Sequence, residues 1–127
     1  MSFPKPTDSE LAILQELWQR GPSTVKVIHE ALSSSRDIGY TTALKLMQIM
    51  HEKGLLTRER EGKTHIYQPA VSQEKIQKQL LNKLVDTAFQ GSAMKLIMQA
   101  LGNEKTSIDE LTQIKSFIEK LEGGQNE

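Results

Sequence analysis

The feature that most constrains the fold is a switch in hydrophobic period near the middle of the chain. Up to Gly54, apolar residues recur every three or four positions in three short segments, which is the spacing of amphipathic helices. Residues 55–60 and 64–68 instead read as two strands around a turn at 61–63, which predicts a β-hairpin. From residue 72 onward the helical spacing returns. This order predicts a mainly α fold in which three helices and a hairpin are followed by helices only.

Capping and turn residues set the predicted helix boundaries. Thr7 and Glu10 form a capping box that starts the first helix. Either Ser23 or Thr24 caps the second helix, and the third is predicted over about 41–53. Beyond the hairpin, serine caps and glycine breaks predict three further helices, with caps at Ser72 and Ser107 and breaks at Gly91 and Gly102.

The composition excludes several classes of protein. With 127 residues the chain is too short for a barrel enzyme, and without cysteine it has no disulfide, thiol nucleophile or Cys-ligated metal. It carries no phosphate loop, dinucleotide fingerprint or catalytic serine motif, so we predict that it is not an enzyme. Its three histidines are not paired at ligand spacing, so we expect no metal and no other cofactor. No apolar run is long enough to span a bilayer and the N-terminus lacks a signal-peptide stretch, so we expect a cytoplasmic protein.

The third predicted helix has one narrow polar face. Placed at 100° per residue, Thr41, Lys45, Gln48 and Glu52 fall on one stripe, and the apolar residues fall opposite. Such a stripe is by itself more often an ordinary solvated surface than a binding site. The helix is nevertheless the third of three before a ribbon, which is the order of a winged helix-turn-helix, whose third helix enters the DNA major groove.

The turn of the predicted hairpin is basic. Arg58, Arg60 and Lys63 cluster around it next to His65, although two glutamates dilute the positive charge. A net charge of zero, from 16 basic and 16 acidic residues, neither marks nor excludes a nucleic-acid binder, because local patches matter more than the total. A basic wing tip suits contact with the DNA phosphates, so the hairpin and the third helix predict one DNA-binding surface.

The helices after the hairpin carry more apolar surface than about 50 residues of helix can bury alone. A symmetric partner would cover it, so we predict a homodimer, although folding back onto the winged helix remains an alternative. The boundary is placed near residue 70, with a winged-helix DNA-binding domain at 1–70 and a helical dimerisation domain at 71–127. The residues predicted to mediate dimerisation are Ile76, Leu80, Leu84, Met94, Ile97, Leu101, Leu111, Ile114 and Ile118.

Four stretches of the first half carry a resemblance to a known family. They are 7–18 (TDSELAILQELW), 39–44 (GYTTAL), 53–56 (KGLL) and 58–69 (REREGKTHIYQP). In combination they resemble the penicillinase-repressor family of BlaI/MecI type. The helical second half agrees with that family in length and pattern, without any sharp motif.

The resemblance implies a dimeric repressor that binds a palindromic operator in double-stranded DNA, in a family associated with antibiotic resistance. It implies that Tyr40, Thr41 and Thr42 form the DNA-facing start of the recognition helix, and the helical wheel adds Lys45 and Gln48. Together with the wing, the predicted DNA-binding residues are Tyr40, Thr41, Thr42, Lys45, Gln48, Arg58, Arg60, Lys63 and His65. A winged helix used as a protein-interaction module is the alternative, which the basic wing and the polar stripe disfavour.

The resemblance also implies how repression ends. In this family a membrane sensor-protease system commonly cleaves the repressor, and the implied cleavage region is Gln99, Ala100 and Leu101. Gln99 and Ala100 stand where the best-known family pattern has Asn-Phe. With no cysteine, no histidine pair and no Gly-rich phosphate loop, we expect no small-molecule ligand.

Overall fold

The computed structural model describes residues 3–103 and 105–125, and these ranges form six helices and one hairpin. The order confirms the predicted mainly α fold, a winged helix-turn-helix followed by a helical region. The predicted domain ranges 1–70 and 71–127 include residues 1, 2, 104, 126 and 127, which lie outside the described ones. The elements are α1 (Asp8–Arg20), α2 (Val25–Leu32), α3 (Tyr40–Glu52), β1 (Leu56–Glu61), β2 (Thr64–Pro69), α4 (Gln73–Ala88), α5 (Ala93–Leu101) and α6 (Ile108–Gln125).

The helix starts are fixed by the caps that the sequence predicts. At α1 both halves of the capping box form, since Thr7 Oγ1 accepts from the Glu10 backbone N–H and Glu10 Oε1 accepts from the Thr7 N–H. Thr24, rather than Ser23, caps α2. The serine caps of α4 and α6 also form, because Ser72 Oγ accepts from Lys75 N–H and Ser107 Oγ from Glu110 N–H.

The core of the first part of the chain lies between α1, α2, α3 and the hairpin. Each helix directs its apolar stripe inward, and the least exposed residues include Ile13, Leu14, Leu17, Ile28, Ala43, Met47, Met50 and Leu55. Trp18 lies partly buried at the edge of this core and donates its Nε1–H to the Val71 carbonyl at 3.1 Å. Burial of this contiguous apolar set positions α3 against the rest of the domain.

The hairpin is antiparallel and packs on the helices through Tyr67. Its register pairs Leu56 with Pro69 and Glu61 with Thr64, which leaves Gly62 and Lys63 as the turn. Tyr67 is buried. Its backbone N–H donates to the Ser23 carbonyl at 2.8 Å, and the Ser23 N–H donates to the Tyr67 carbonyl at 3.0 Å. The segment before α2 therefore lies against the wing as a short third strand-like element.

The chain divides into two compact units, Met1–Leu81 and Asn82–Glu127. The start of α4 belongs to the first unit because Ile76 is fully buried in the winged-helix core and Leu80 packs against that core. Gln79 adds a reciprocal pair of hydrogen bonds with the backbone of Phe3, at 2.6 and 2.9 Å. The prediction that Ile76 faces a dimer partner is therefore corrected: this side chain has no exposed surface in the structure.

The second unit is helical and exposes many large apolar side chains. Between α4 and α5 the chain makes a turn at Gln90 and Gly91, both with positive φ. Apolar residues exposed on the helices of this unit are Leu84, Met94, Ile97, Met98, Ile108, Leu111, Phe117, Ile118 and Leu121. Within the described residues, no helix is both long and apolar enough to cross a membrane.

Candidate nucleic-acid interface

The third helix presents a polar face to solvent and an apolar face to the core. Ala43, Met47 and Met50 are fully buried, and they are spaced by three and four residues along one side of α3. Because side chains advance by about 100° per residue, the opposite side is exposed. That side carries the predicted DNA-binding residues of this helix, and all of them are exposed in the structure: Tyr40, Thr41, Thr42, Lys45 and Gln48.

The start of α3 has no capping side chain. Gly39 occupies the N-cap position in an extended conformation, and the first turn contains no acidic residue. The first backbone N–H groups of a helix have no intrahelical acceptor, so those at this end remain available to an external one. Together with the helix dipole, this arrangement favours a negatively charged group such as a phosphate near Tyr40 and Thr41.

The wing residues fall into two groups. Arg58 is half-buried, its Nη1 donates to Tyr67 Oη at 3.3 Å, and its guanidinium lies 6.0 Å from the centre of the Tyr67 ring. Arg60 is exposed, and its Nε donates to the Gly62 carbonyl at 3.0 Å, which holds its side chain beside the turn. Lys63 is exposed at the tip. The wing thus combines one positioned guanidinium with two exposed cations.

A cleft of about 400 Å³ lies between the N-terminus of α2, the start of α3 and the wing. Five of the predicted residues line it: Tyr40 and Gln48 from α3, and Arg58, Lys63 and His65 from the wing. The other four predicted residues, Thr41, Thr42, Lys45 and Arg60, are exposed but do not line the cleft. Among the residues that the structure describes, none of those lining it is an aspartate or glutamate.

Six cleft residues were not predicted as site residues, and two of them, Thr24 and Lys26, are polar residues at the start of α2. Thr24 caps α2, and Lys26 is exposed in the first turn of that helix. A basic residue two positions after a predicted helix cap is the signal that the sequence offers, but only the tertiary structure shows that this cap lies beside the wing. The Nδ1 atom of His65 is buried and has no hydrogen-bond partner within the described part of the chain. A buried polar atom in that state favours a ligand that can pair with it.

The far end of α3 is fixed by an ion pair with α1. Lys53, the C-cap residue, donates through Nζ to both carboxylate oxygens of Glu10, at 2.9 and 3.1 Å. Burial by itself would raise the pKa of the Glu10 carboxyl. The Thr7 backbone N–H, the hydrogen bonds and charge of Lys53, and the Thr7 hydroxyl outweigh burial, so the pKa lies below its ordinary value. The carboxylate is therefore stable as an anion inside the domain.

The remaining predicted site residues lie in the helical region. Of the proposed dimerisation residues, Leu84, Met94, Ile97, Leu111 and Ile118 are exposed, whereas Leu101 and Ile114 are half-buried. Gln99, Ala100 and Leu101, the implied cleavage region, form the last turn of α5. Residues 3–103 and 105–125 hold no group of three or more histidine, aspartate or glutamate side chains that could bind a metal ion.

Sequence comparison finds relatives along nearly the whole chain. The family model for the penicillinase repressor matches residues 6–120. The transcriptional regulator BlaI of Mycobacterium tuberculosis (strain H37Rv) is 30% identical over 119 residues, which cover 92% of this chain and 85% of BlaI. The methicillin resistance regulatory protein MecI of Staphylococcus aureus (strain N315) is 18% identical over 114 residues, covering 90% of this chain and 93% of MecI.

A solved structure shares the fold of part of this chain. It is the Bacillus licheniformis BlaI in its monomeric form, in complex with the blaP half-operator. The match has a TM-score of 0.51 at 20% sequence identity, and covers 58% of this chain and 90% of the other. At this identity the likeness supports the winged helix-turn-helix fold and nothing more specific.

Proposed function

The chain belongs to the penicillinase-repressor family of transcriptional regulators, and from this premise we propose that it is a dimeric repressor that binds a palindromic operator. The recognition surface consists of Tyr40, Thr41, Thr42, Lys45 and Gln48 on α3. The wing residues Arg58, Arg60, Lys63 and His65 hold the adjacent DNA backbone. Such a repressor acts on the chromosome, so cytoplasmic localisation is part of the proposal. Catalysis is not, because this family is one of repressors.

The observation that carries the proposal is the cleft that joins α3 to the wing. Gln48 and Tyr40, whose side chains carry groups that can hydrogen-bond to bases, line it together with three cationic side chains, Lys26, Arg58 and Lys63. Polar side chains on an exposed helix face read bases in the major groove, and flanking cations neutralise phosphates. A protein-interaction module has no need for this combination, so the DNA-binding function is the one that the geometry favours.

The exposed apolar side chains of the helical region support the dimer. Met94 is 71% exposed and Phe117 61% exposed, and large exposed apolar side chains are spread over α4, α5 and α6. Exposed apolar patches beyond a few hundred Å² mark interaction surfaces in soluble proteins. A second copy of the chain would bury these helices and present two recognition helices to a two-fold symmetric site.

Proteolytic release by a membrane sensor-protease system belongs to the same proposal. Gln99 and Ala100 are exposed near the C-terminus of α5, and Gly102 follows as the C-cap. A helix end unfolds locally more readily than a helix centre, so a protease can bind an extended segment of the chain there. Separating the dimerising helices would weaken operator binding, because two linked half-sites bind more tightly than one.

The test of DNA binding starts from a random duplex pool, from which the wild-type protein selects its sites. The triple variant Thr41→Ala, Thr42→Ala, Lys45→Ala should bind the selected duplex more weakly, since removing one base contact costs about 1–3 kcal/mol. The double variant Arg60→Ala, Lys63→Ala should weaken binding to every duplex and reduce the salt slope by about 1 for each phosphate that is no longer neutralised. Lys78→Ala, on an exposed face of α4, is the control and should leave both quantities unchanged.

Two outcomes would contradict the proposal. If the wild-type protein enriches no sequence from the pool, operator recognition is wrong. If the triple variant keeps the affinity of the wild type for the selected duplex, α3 is not the recognition helix. Release is tested separately by following the intact chain in cells during induction. Repression that lifts while the full-length chain stays constant would show that proteolysis is not the switch.

A further inference from the structure

His29 links α2 to the connection that precedes α3. Its ring is half-buried, and its Nε2 lies 2.9 Å from the carbonyl oxygen of Ile38. A carbonyl oxygen can only accept a hydrogen bond, so Nε2 carries the proton and donates it. Ile38 is the residue immediately before Gly39, the N-cap of α3. The imidazole therefore holds the backbone at the point where the third helix begins.

The same ring also contacts the first residue of α3. The His29 and Tyr40 rings lie with their centroids 5.9 Å apart at an interplanar angle of 89°, an edge-to-face arrangement. Tyr40 is 48% exposed, so one part of its ring rests on His29 while the rest faces solvent beside the cleft. One side chain thus fixes both the backbone entering the helix and the first side chain on it.

The rest of the connection is tied elsewhere. Ser33 Oγ donates to the Glu30 carbonyl and the Arg36 N–H donates to the Leu32 carbonyl, both at 2.8 Å. These bonds attach the first half of the loop to the end of α2 and do not reach α3. Gly39 supplies no capping side chain of its own. Within the described residues, the side-chain hydrogen bond that reaches the second half of the loop is the one from His29.

We propose that His29 is a positioning residue that sets the start of the recognition helix and thereby the discrimination between operator and other DNA. This inference rests on the proposed function and assigns the placement of the recognition helix to the imidazole of His29. Base readout requires side chains within hydrogen-bond distance of the base edges, so a shift at the first turn of α3 weakens specific binding. The wing cations lie outside α3, so their phosphate contacts are less affected by the same shift. Loss of His29 should therefore reduce specificity more than general DNA affinity.

The test compares two substitutions of different chemistry. His29→Leu keeps bulk but has no donor, whereas His29→Gln places an amide N–H near the position of Nε2. The probes are a duplex selected from a random pool by the wild-type protein and a mixed-sequence duplex of the same length. We expect His29→Leu to bind the selected duplex about tenfold more weakly and the mixed duplex with little change, and His29→Gln to stay close to wild type. Val27→Ala, a truncation at an exposed position on α2, is the matched control.

Amide hydrogen exchange on the DNA-free protein gives a second readout that does not depend on any operator. The Ala43 N–H donates to the Gly39 carbonyl at 3.0 Å and closes the first turn of α3. In His29→Leu this amide should exchange faster, while the amide of the buried Met50 keeps its protection. The inference is overturned if His29→Leu keeps the wild-type ratio of selected to mixed affinity, or if His29→Gln is no better than His29→Leu. Failure of the wild type to select any duplex would instead refute the proposed function, and unchanged Ala43 exchange would then overturn the positioning role as well.

Discussion

Replacing Lys53 by methionine should destabilise the winged-helix unit and loosen the C-terminal end of α3. The substitution keeps most of the aliphatic stem but removes the ammonium that bonds both oxygens of Glu10. The Glu10 side chain is only 2% exposed, so its carboxylate would be left with bonds from Thr7 alone. Lys53 itself is 36% exposed, which means that solvent screens the pair and moderates the loss.

The magnitude follows from these hydrogen bonds. Hydrogen bonds to charged groups contribute about 1.5–3 kcal/mol. Lys53 makes two such bonds but is partially screened by solvent, so we expect the free energy of unfolding to fall by about 2 kcal/mol. For a domain of this size that corresponds to a fall of roughly 8–16 °C in the melting temperature. The control is Lys78→Met, which removes an exposed i,i+4 pair with Glu74 and should change stability by less than about 0.5 kcal/mol.

The pH dependence of the effect has a definite sign. The pKa of Glu10 is lower in the folded chain than its ordinary value of 4.5, so the carboxylate contributes stability that is fully present above that value. That contribution is lost as the pH falls through the folded pKa. Denaturant unfolding of the wild type and Lys53→Met should therefore differ most near neutral pH, and the difference should shrink as the pH falls through the folded pKa of Glu10. Equal stabilities at pH 7, or a difference that does not shrink in acid, would refute the role assigned to this pair.

Three further expectations concern the core, the edge of the core and the dimer. Met47→Ala opens a cavity at a fully buried position of α3, and urea unfolding should show a loss of about 2–5 kcal/mol. Trp18→Phe removes the bond to the Val71 carbonyl, which should cost about 0.5–1.5 kcal/mol in the same assay. Ile118→Asp places a charge on the exposed apolar face of α6. Sedimentation should then shift from twice 14.3 kDa to 14.3 kDa, while circular dichroism keeps the helix content.

The local features of this fold are those that the sequence predicts well. The capping pairs Thr7 with Glu10 and Ser107 with Glu110 depend only on residues three apart, so they are visible without any tertiary information. The buried face of α3 follows in the same way from helical periodicity. The family resemblance then links these elements to one architecture.

The features that the sequence does not reveal are those that join distant segments. Periodicity identifies Ile76 as apolar and inward but not which surface it covers, and it lies in the winged-helix core rather than at a dimer interface. The backbone pairing of Ser23 with Tyr67 brings the cap of α2 to the wing and makes Lys26 part of the cleft. The hydrogen bond between His29 and Ile38 depends on the path of the loop, which no local pattern specifies.

The most direct test of operator recognition by a dimer is a hydroxyl-radical footprint of the wild-type protein on a duplex that it has selected from a random pool. We expect two protected half-sites of related sequence in opposite orientation on one face of the DNA, with centres one or two turns of about 10–10.5 bp apart. We also expect two chains per duplex in sedimentation of the same complex. A single half-site bound by one chain, or uniform protection without sequence preference, would contradict a dimeric repressor that reads a palindrome.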